Sequence, residues 1–91
     1  MLKKEFVVND PLGLHARPAG VIVKEAQRYE SEVTLTVQSS GKSASAKGLF
    51  ALLGLEVRQG DILLLAADGK DEDKALRGVG AVIEERLGAQ A

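Results

Sequence analysis

The chain has 91 residues, a length that predicts one small domain over residues 1–91. It carries 12 Lys and Arg against 13 Asp and Glu, and this net charge of −1 argues against the basic surface that nucleic-acid binding needs. With no Cys and a single His, the chain offers neither disulfides, thiolate chemistry nor a His-rich metal site, so His15 is the first candidate for chemistry near neutral pH.

The sequence shows no pattern of membrane insertion or export. No apolar run approaches the ~20 residues that a membrane-spanning helix needs. The first residues, MLKKE, lack the long apolar stretch of a signal peptide. We therefore expect a cytoplasmic protein that is not inserted in a membrane.

The first part of the chain predicts a strand, a loop and a helix. Apolar residues of one parity predict a strand over residues 2–8. Residues 9–13 contain Asn, Asp, Pro and Gly and are typical of a turn-rich loop. Pro18 in a first turn, followed by apolar residues at helical spacing, predicts a helix over residues 16–28.

The middle of the chain predicts a β-hairpin and a short helix. Val and Leu alternate with Thr over residues 33–37, which is the pattern of a half-buried strand. A hairpin loop at residues 38–41 leads into a weaker returning strand over residues 42–46. Leucines at residues 49–53 then indicate a short helix that ends near Gly54.

The last part predicts a strand and a longer helix. Residues 62–67 are apolar at every position, which is typical of a strand that is central or covered on both faces. Acidic residues at 71–73 suit a helix N-terminus through capping and the macrodipole. An apolar stripe extends this helix to Leu87, although Gly78 and Gly80 each weaken it by about 1 kcal/mol relative to Ala. Its solvated side carries Glu84, Glu85 and Arg86.

These elements follow one another in the order β-α-β-β-α-β-α. Few and short strands with interspersed helices predict an α+β fold, a mostly antiparallel sheet with helices on one face.

A possible anion site lies where the loop meets the first helix. His15 stands where Ser, Thr, Asp or Asn would ordinarily cap the helix, so the N–H groups of Ala16 and Arg17 can stay available. These donors, the helix dipole and the Arg17 guanidinium all favour a phosphate group. The residues alone leave a second interpretation open, in which His15 and Arg17 are ordinary polar surface residues.

The segment GLHARPA at residues 13–19 resembles the active-site signature of the HPr family, the histidine-containing phosphocarriers of the bacterial phosphoenolpyruvate:sugar phosphotransferase system. Further segments resemble the family in the same order: VKEA at 23–26, GKSASAK at 41–47, LF at 49–50 and the turn at 59–60. The resemblance covers nearly the whole chain. It implies an open-faced β-sandwich, a four-stranded antiparallel sheet covered on one face by three helices.

The resemblance also implies a role for each residue of the signature. His15 would accept a phosphoryl group on Nδ1 from enzyme I and pass it to an enzyme IIA domain. Arg17 would contact the phosphoryl group, and the amides of Ala16 and Arg17 would help to hold it. The family's members are carriers and not enzymes, so we expect no cofactor and no metal. The resemblance also implies a monomer.

The family docks its partners around the active loop with the first two helices. Carried over residue by residue, this surface comprises Gly20, Lys24, Gln27, Leu49, Phe50 and Leu53. Phe50 is either an exposed docking anchor or a core residue packed under the hairpin. Lys24 and Lys47, judged alone, are expected to be solvated charges.

Three positions depart from the family pattern. Gly48 stands where many members carry a regulatory serine, so we expect no kinase switch there and a helix without its cap. The hairpin loop at residues 38–41 looks longer than usual. Leu12 occupies a position that is often polar, which puts any hydrogen bond from that side chain to the active loop in doubt.

Other functions stay open at this point. The same histidine chemistry would serve a nitrogen-related regulatory branch of the phosphotransferase system. A regulatory adaptor without phosphotransfer is a second alternative, although some such regulators have lost the histidine that this chain keeps. An RNA-binding module would need aromatic residues and a basic face on the central strands, and residues 62–67 have neither.

Overall fold

Four strands and three helices follow one another in the predicted order within residues 1–88, the part of the chain that the computed structural model describes. The strands are β1 (Leu2–Val7), β2 (Glu32–Val37), β3 (Ser43–Ser45) and β4 (Ile62–Asp68). The helices are α1 (Ala16–Ala26), α2 (Leu49–Leu53) and α3 (Glu72–Arg86). The predicted α+β class, the element order and the open-faced sandwich are confirmed. The single domain over residues 1–91 includes three residues outside this range and stays a prediction.

The sheet has the strand order β1-β4-β2-β3, and every neighbouring pair is antiparallel. The prediction that β4 is central is therefore confirmed. Its apolar run is not covered on both faces, however, because Leu63, Leu65 and Ala67 are buried while the alternate positions are only half-buried. The helices cover the face of the sheet that carries Leu63, Leu65 and Ala67.

One hydrophobic core lies between the sheet and the helices. Its largest fully buried side chains include Phe6, Ile22, Leu35, Leu52, Leu63, Leu65 and Ile83. The inward residues of each strand alternate with outward ones, and the helices contribute one stripe each, as the sequence periodicity predicts. Burying a side chain of this kind stabilises the fold by about 1.5–3 kcal/mol.

Two glycines of α3 lie where a side chain would crowd a neighbouring element. A Cβ on Gly80 would lie 3.3 Å from Cζ of Phe6 in β1. A Cβ on Gly78 would lie within 2.0 Å of the Tyr29 hydroxyl oxygen, just after α1. The loss of helix propensity at these positions thus accompanies a close approach of α3 to β1 and α1.

Several element ends differ from the predictions by one or two residues. β1 stops at Val7, because the N–H of Val8 donates to the carbonyl of Asp61 in a loop. α1 stops at Ala26, because the following residues form a turn closed by bonds to Val23, Glu25 and Ala26. The returning strand keeps only Ser43–Ser45.

Asp71 precedes α3 as predicted, but its carboxylate does not cap that helix. It accepts the backbone N–H groups of Glu30 and Ser31 at 3.0 and 2.9 Å and also bonds to the Ser31 hydroxyl. The carboxylate of Glu72 instead accepts the N–H of Gly69 at 3.2 Å. The capping prediction for Asp71 is therefore wrong: this residue ties the connection between α1 and β2 to the start of α3.

Candidate functional site

The loop between β1 and α1 is held so that His15 stands at the start of the helix. The N–H of Gly13 donates to the carbonyl of Asp10 at 2.9 Å, and the N–H of Leu14 donates to that of Val57 at 3.2 Å. Leu14 itself is buried in the core. Gly13 has φ +66° and a Cβ there would lie 2.1 Å from the Val57 oxygen, so the loop requires glycine at this point.

His15 is the N-cap residue of α1 and leaves the helix end uncapped. Its backbone is extended, with φ −115° and ψ −178°, and its side chain makes no capping bond. Within residues 1–88 no acceptor takes the N–H groups of Ala16 or Arg17, and the first bonded amide is that of Ala19, to the His15 carbonyl at 3.0 Å. Two N–H donors and the positive end of an 11-residue helix therefore directly follow His15.

An open groove of about 290 Å³ surrounds the imidazole. Its lining comprises Asp10, Leu12, His15, Arg17, Pro18 and Arg86. Arg17 and Arg86 line this groove and are exposed, so their guanidinium groups are free to turn toward an anion bound there. The side chain of His15 is 35% exposed, which leaves the ring accessible to a partner.

Arg86 is a site residue that the sequence pattern did not indicate. The helical periodicity assigned it to the solvated side of α3, and it is indeed exposed. It reaches the groove because the end of α3 is attached to the loop after β1: the N–H groups of Asn9 and Asp10 donate to the Leu87 carbonyl at 2.7 and 3.1 Å. No local signal in the sequence reports this contact.

Asp10 is a second residue whose place beside the groove the sequence pattern does not indicate, since it lies in a turn-rich loop. Its Oδ2 lies 3.8 Å from Nε2 of His15. Its other carboxylate oxygen, Oδ1, accepts the N–H of Leu12 at 2.8 Å. The Leu12 side chain is 73% exposed at the rim of the groove, so this position contributes a backbone hydrogen bond and an apolar edge.

The candidate docking residues lie on α1, on the residue that follows it and on α2, and their exposure differs. Phe50 is 86% exposed, so the alternative that it packs under the hairpin is wrong. Lys24 and Gln27 are exposed, whereas Gly20, Leu49 and Leu53 are half-buried.

Two side chains connect α1 to the start of α2. Gln27 donates through Nε2 to the Lys47 carbonyl at 3.3 Å. Lys47 donates through Nζ to the carbonyl of Tyr29 at 2.7 Å, in a half-buried position. The expectation that Lys47 is a solvated charge is therefore wrong, because its ammonium group satisfies a carbonyl beyond the end of α1.

Gly48 occupies the N-cap position of α2, with no side-chain capping bond. Its neighbours on β3 have structural contacts. The hydroxyl of Ser43 lies 2.7 Å from that of Thr36, and the Ser45 hydroxyl accepts the N–H of Lys47 at 3.2 Å.

Residues 1–88 contain no group of three or more His, Asp or Glu side chains that could hold a metal ion. No helix in this part of the chain has the length and apolar character to cross a membrane.

Comparison with known proteins identifies the family. A family model described as "PTS HPr component phosphorylation site" matches residues 2–85, a span that includes His15. The chain belongs to the HPr family. The phosphocarrier protein HPr of Haemophilus influenzae is 48% identical over 83 residues, which cover 91% of this chain and 95% of the relative. HPr of Borreliella burgdorferi is 45% identical over 84 residues, with coverage of 92% and 95%.

The HPr fold is found in solved structures as well. The structure of a mycoplasma histidine-containing phosphocarrier protein matches with a TM-score of 0.87 and 28% identity, and covers 92% of this chain and 93% of its own. Membership in the HPr family makes the chain a phosphocarrier protein of the phosphotransferase system, a role that implies partner proteins of that system.

Proposed function

We propose that His15 is the phosphorylated residue and that its Nδ1 carries the phosphoryl group. The observation that carries this proposal is the position of the imidazole at the uncapped N-terminus of α1, beside the N–H groups of Ala16 and Arg17. In a helix with a purely structural role, an N-cap residue without a capping bond would lower stability and bring no benefit. It is useful where the helix end must hold an anion.

The transfer has two steps, each with the same bond changes. The Nδ1 lone pair attacks the phosphorus of a phosphohistidine on enzyme I, and an N–P bond to His15 forms. The old N–P bond breaks, and its electron pair returns to the nitrogen of the donor histidine. The phosphoryl group then leaves for a histidine of an enzyme IIA domain in the same manner, so the chain is a reactant with a covalent intermediate and needs no cofactor.

The helix end and the guanidinium groups stabilise the phosphoryl group while His15 carries it. Phosphoryl transfer depends mainly on positioning and on charge stabilisation. The positive end of a helix contributes about 0.3–1 kcal/mol toward a nearby anion at an exposed site. The Arg17 guanidinium can bond two phosphoryl oxygens at once, and Arg86 lines the same groove.

Partners approach His15 across the face formed by α1 and α2. Its centre is Phe50, an aromatic side chain that is 86% exposed and has no structural need to be there. The surrounding contacts are the other residues inferred for docking, namely Gly20, Lys24, Gln27, Leu49 and Leu53. We propose that the chain acts as a monomer, since each transfer needs this face free for a different partner. Because phosphoenolpyruvate is a cytoplasmic metabolite, the relay belongs in the cytoplasm.

The acceptor decides between the two branches of the system. We propose sugar uptake as the main role, with a nitrogen-related branch as the alternative, since both use the same histidine. The test supplies phosphoenolpyruvate, enzyme I and this chain to purified enzyme IIA domains of both branches and measures their rates of phosphorylation. Faster transfer to a sugar-specific domain supports the proposal. Binding without transfer to any acceptor would show an adaptor and contradict it.

A further inference from the structure

We propose that Asp10 is a positioning residue for His15, which selects the tautomer that carries its proton on Nε2 and leaves Nδ1 free to attack phosphorus. The inference rests on the proposed phosphorylation at Nδ1 and deepens it, because it assigns a role to a residue outside the GLHARPA segment. A neutral imidazole has one donor and one acceptor nitrogen, so the choice between its tautomers decides whether Nδ1 is a nucleophile.

Asp10 is held firmly by its own backbone and by one carboxylate oxygen. Its N–H donates to the Leu87 carbonyl at 3.1 Å, and its carbonyl accepts the N–H of Gly13 at 2.9 Å. Its Oδ1 accepts the N–H of Leu12 at 2.8 Å, which forms an Asx turn. The two backbone bonds hold the residue in place and the Oδ1 bond restrains its carboxylate, so Oδ2 is the oxygen left for His15.

The free oxygen faces the nitrogen that should carry the proton. Oδ2 lies 3.8 Å from Nε2, with the side chains of Asp10 and His15 only 25% and 35% exposed. A small rotation of the ring brings this pair into hydrogen-bonding range, and contacts of this kind commonly tighten only when the reacting partner binds. A carboxylate can only accept, so it favours the Nε2–H tautomer over the Nδ1–H tautomer.

The same contact suits the phosphorylated state. When Nδ1 carries phosphorus, the proton of the ring remains on Nε2, which can donate a hydrogen bond to the Asp10 carboxylate, and the negative carboxylate offsets the positive charge of the ring. The carboxylate lies on the Nε2 side of the ring, away from the nitrogen that holds the phosphoryl group. The guanidinium groups of Arg17 and Arg86 line the groove and limit repulsion between the two anionic groups.

The Asx turn alone does not explain this arrangement. Asn would form the same turn with its amide oxygen, and Ser would form a weaker one with its hydroxyl. Neither of them presents an acceptor oxygen to Nε2 as well. This difference makes two substitutions informative.

The first test uses Asp10→Asn. The amide oxygen of Asn can keep the Leu12 bond, which places its NH₂ group where Oδ2 now faces His15. That group donates to Nε2 and drives the proton to Nδ1, as the wrong tautomer is imposed when the aspartate of a Ser-His-Asp triad becomes asparagine. We expect the rate of phosphoryl acceptance from enzyme I to fall at least tenfold while the thermal midpoint stays that of the parent.

The decisive readout is the tautomer itself, measured on the unphosphorylated chain by ¹⁵N NMR of His15 at about pH 9, where histidine side chains are neutral. We expect the Nε2–H form to dominate in the parent, the Nδ1–H form to increase in Asp10→Asn and a mixture to appear in Asp10→Ser. Asp73→Asn is the matched control: it removes the same charge from an exposed residue in the first turn of α3. It should change neither the tautomer nor the rate.

The outcomes separate this inference from the function on which it rests. If the parent chain accepts no phosphoryl group, the proposed function fails, whatever the tautomer. If the parent accepts it and both Asp10 variants keep the parental tautomer and rate, the role of Asp10 is overturned and the function stands. Should Asp10→Asn fold poorly, Asp10→Ser carries the comparison, and an unchanged tautomer in that variant contradicts the proposal.

Discussion

His15 is the N-cap residue of α1, but its side chain does not form the capping bond that Ser or Asp would form. Such a cap is worth about 1 kcal/mol to a helix. In exchange the N–H groups of Ala16 and Arg17 stay unbonded within the described residues, and the imidazole is presented at the end of α1. A local loss of stability thus coincides with the residue proposed to carry the phosphoryl group, and such a coincidence is common at functional sites.

Arg17→Ala tests the electrostatic part of this site. Arg17 is exposed and lies on α1, so its removal should leave the fold intact. We expect phosphoryl transfer to slow by about tenfold to a hundredfold, because one charged donor to the phosphoryl group is lost. Rapid-quench kinetics with enzyme I measure the rate, and circular dichroism checks the fold. An unchanged rate would remove Arg17 from the mechanism.

Some residue roles follow from the sequence because they are local. The position of His15 before a helix depends on Pro18 and the apolar spacing that follows, so it can be predicted. The positions of Asp10 and Arg86 beside the groove cannot be predicted in this way, because they depend on the end of α3 meeting the loop after β1. That contact joins segments far apart in the chain, and no local pattern encodes it.

Asp71 connects two elements, and its contacts predict a pH dependence. The Ser31 hydroxyl, with the N–H groups of Glu30 and Ser31, lowers the pKa of the Asp71 carboxyl from 3.8 to about 2. Because the folded pKa lies below the unfolded one, this carboxylate stabilises the fold fully above pH 3.8 and loses its effect as pH falls toward 2.

The comparison of Asp71→Asn with the parent chain measures that contribution. We expect the variant to be less stable at neutral pH, with a difference that shrinks between about pH 4 and pH 2. Ser31→Ala removes the hydroxyl bond alone and should give a smaller loss with the same pH dependence. Urea unfolding at a series of pH values measures the difference in free energy of unfolding between each variant and the parent chain. A difference that is constant with pH would contradict the assignment.

Glycines in two helices should respond to alanine in opposite directions. At Gly20 in α1 a Cβ meets no atom within 4 Å, so Gly20→Ala should stabilise the fold by about 0.5–1 kcal/mol. At Gly78 in α3 a Cβ would displace the Tyr29 hydroxyl, which donates to Glu25 Oε2 at 2.7 Å and lowers the pKa of that carboxyl.

Gly78→Ala should therefore lower the free energy of unfolding despite the gain in helix propensity. Denaturant unfolding measures the free energy of unfolding of both variants and of the parent chain. If both substitutions stabilise the protein, the close approach of α3 to Tyr29 does not constrain the fold.

The sequence predicts the helices and strands better than their partners. Alternation over β2 and helical spacing over α1 reflect one buried face each, and both are correct within two residues. The six apolar residues at 62–67 predict a strand that is either central or covered on both faces. Because they do not alternate with polar residues, the sequence does not show that only one face is covered. The sequence pattern places the Asp71 carboxylate at the start of its own helix, because a bond to a residue 40 positions away leaves no local sign.

Across the whole molecule, positive and negative charges nearly cancel, whereas the groove that His15 lines has two arginines, Arg17 and Arg86. The net charge of the chain is −1, so the positive field near His15 is local and comes from Arg17, Arg86 and the helix end. Phe50 adds an exposed aromatic group on the α1–α2 face. This arrangement suits brief contacts with several partners that all reach one histidine.

Phe50→Ala tests whether that aromatic group serves docking. Because Phe50 is 86% exposed, we expect stability to change by less than about 0.5 kcal/mol. The apparent KM for phosphoryl transfer to or from a partner should rise by about tenfold, the effect of losing an interface anchor.

Leu52→Ala is the matched control from the same helix. Leu52 is fully buried, so its truncation should cost about 2–5 kcal/mol of stability. Transfer rates at several partner concentrations and denaturant unfolding separate the two effects. A parental KM for Phe50→Ala with every partner would contradict a docking role.

The most direct test of the account is the intact mass of the chain after incubation with phosphoenolpyruvate and active enzyme I. We predict the gain of one phosphoryl group that acid treatment removes, as expected of a phosphohistidine, and no gain in His15→Ala. A parent chain that stays unmodified beside an active donor, or a His15→Ala chain that still gains the group, would contradict the claim that His15 carries it.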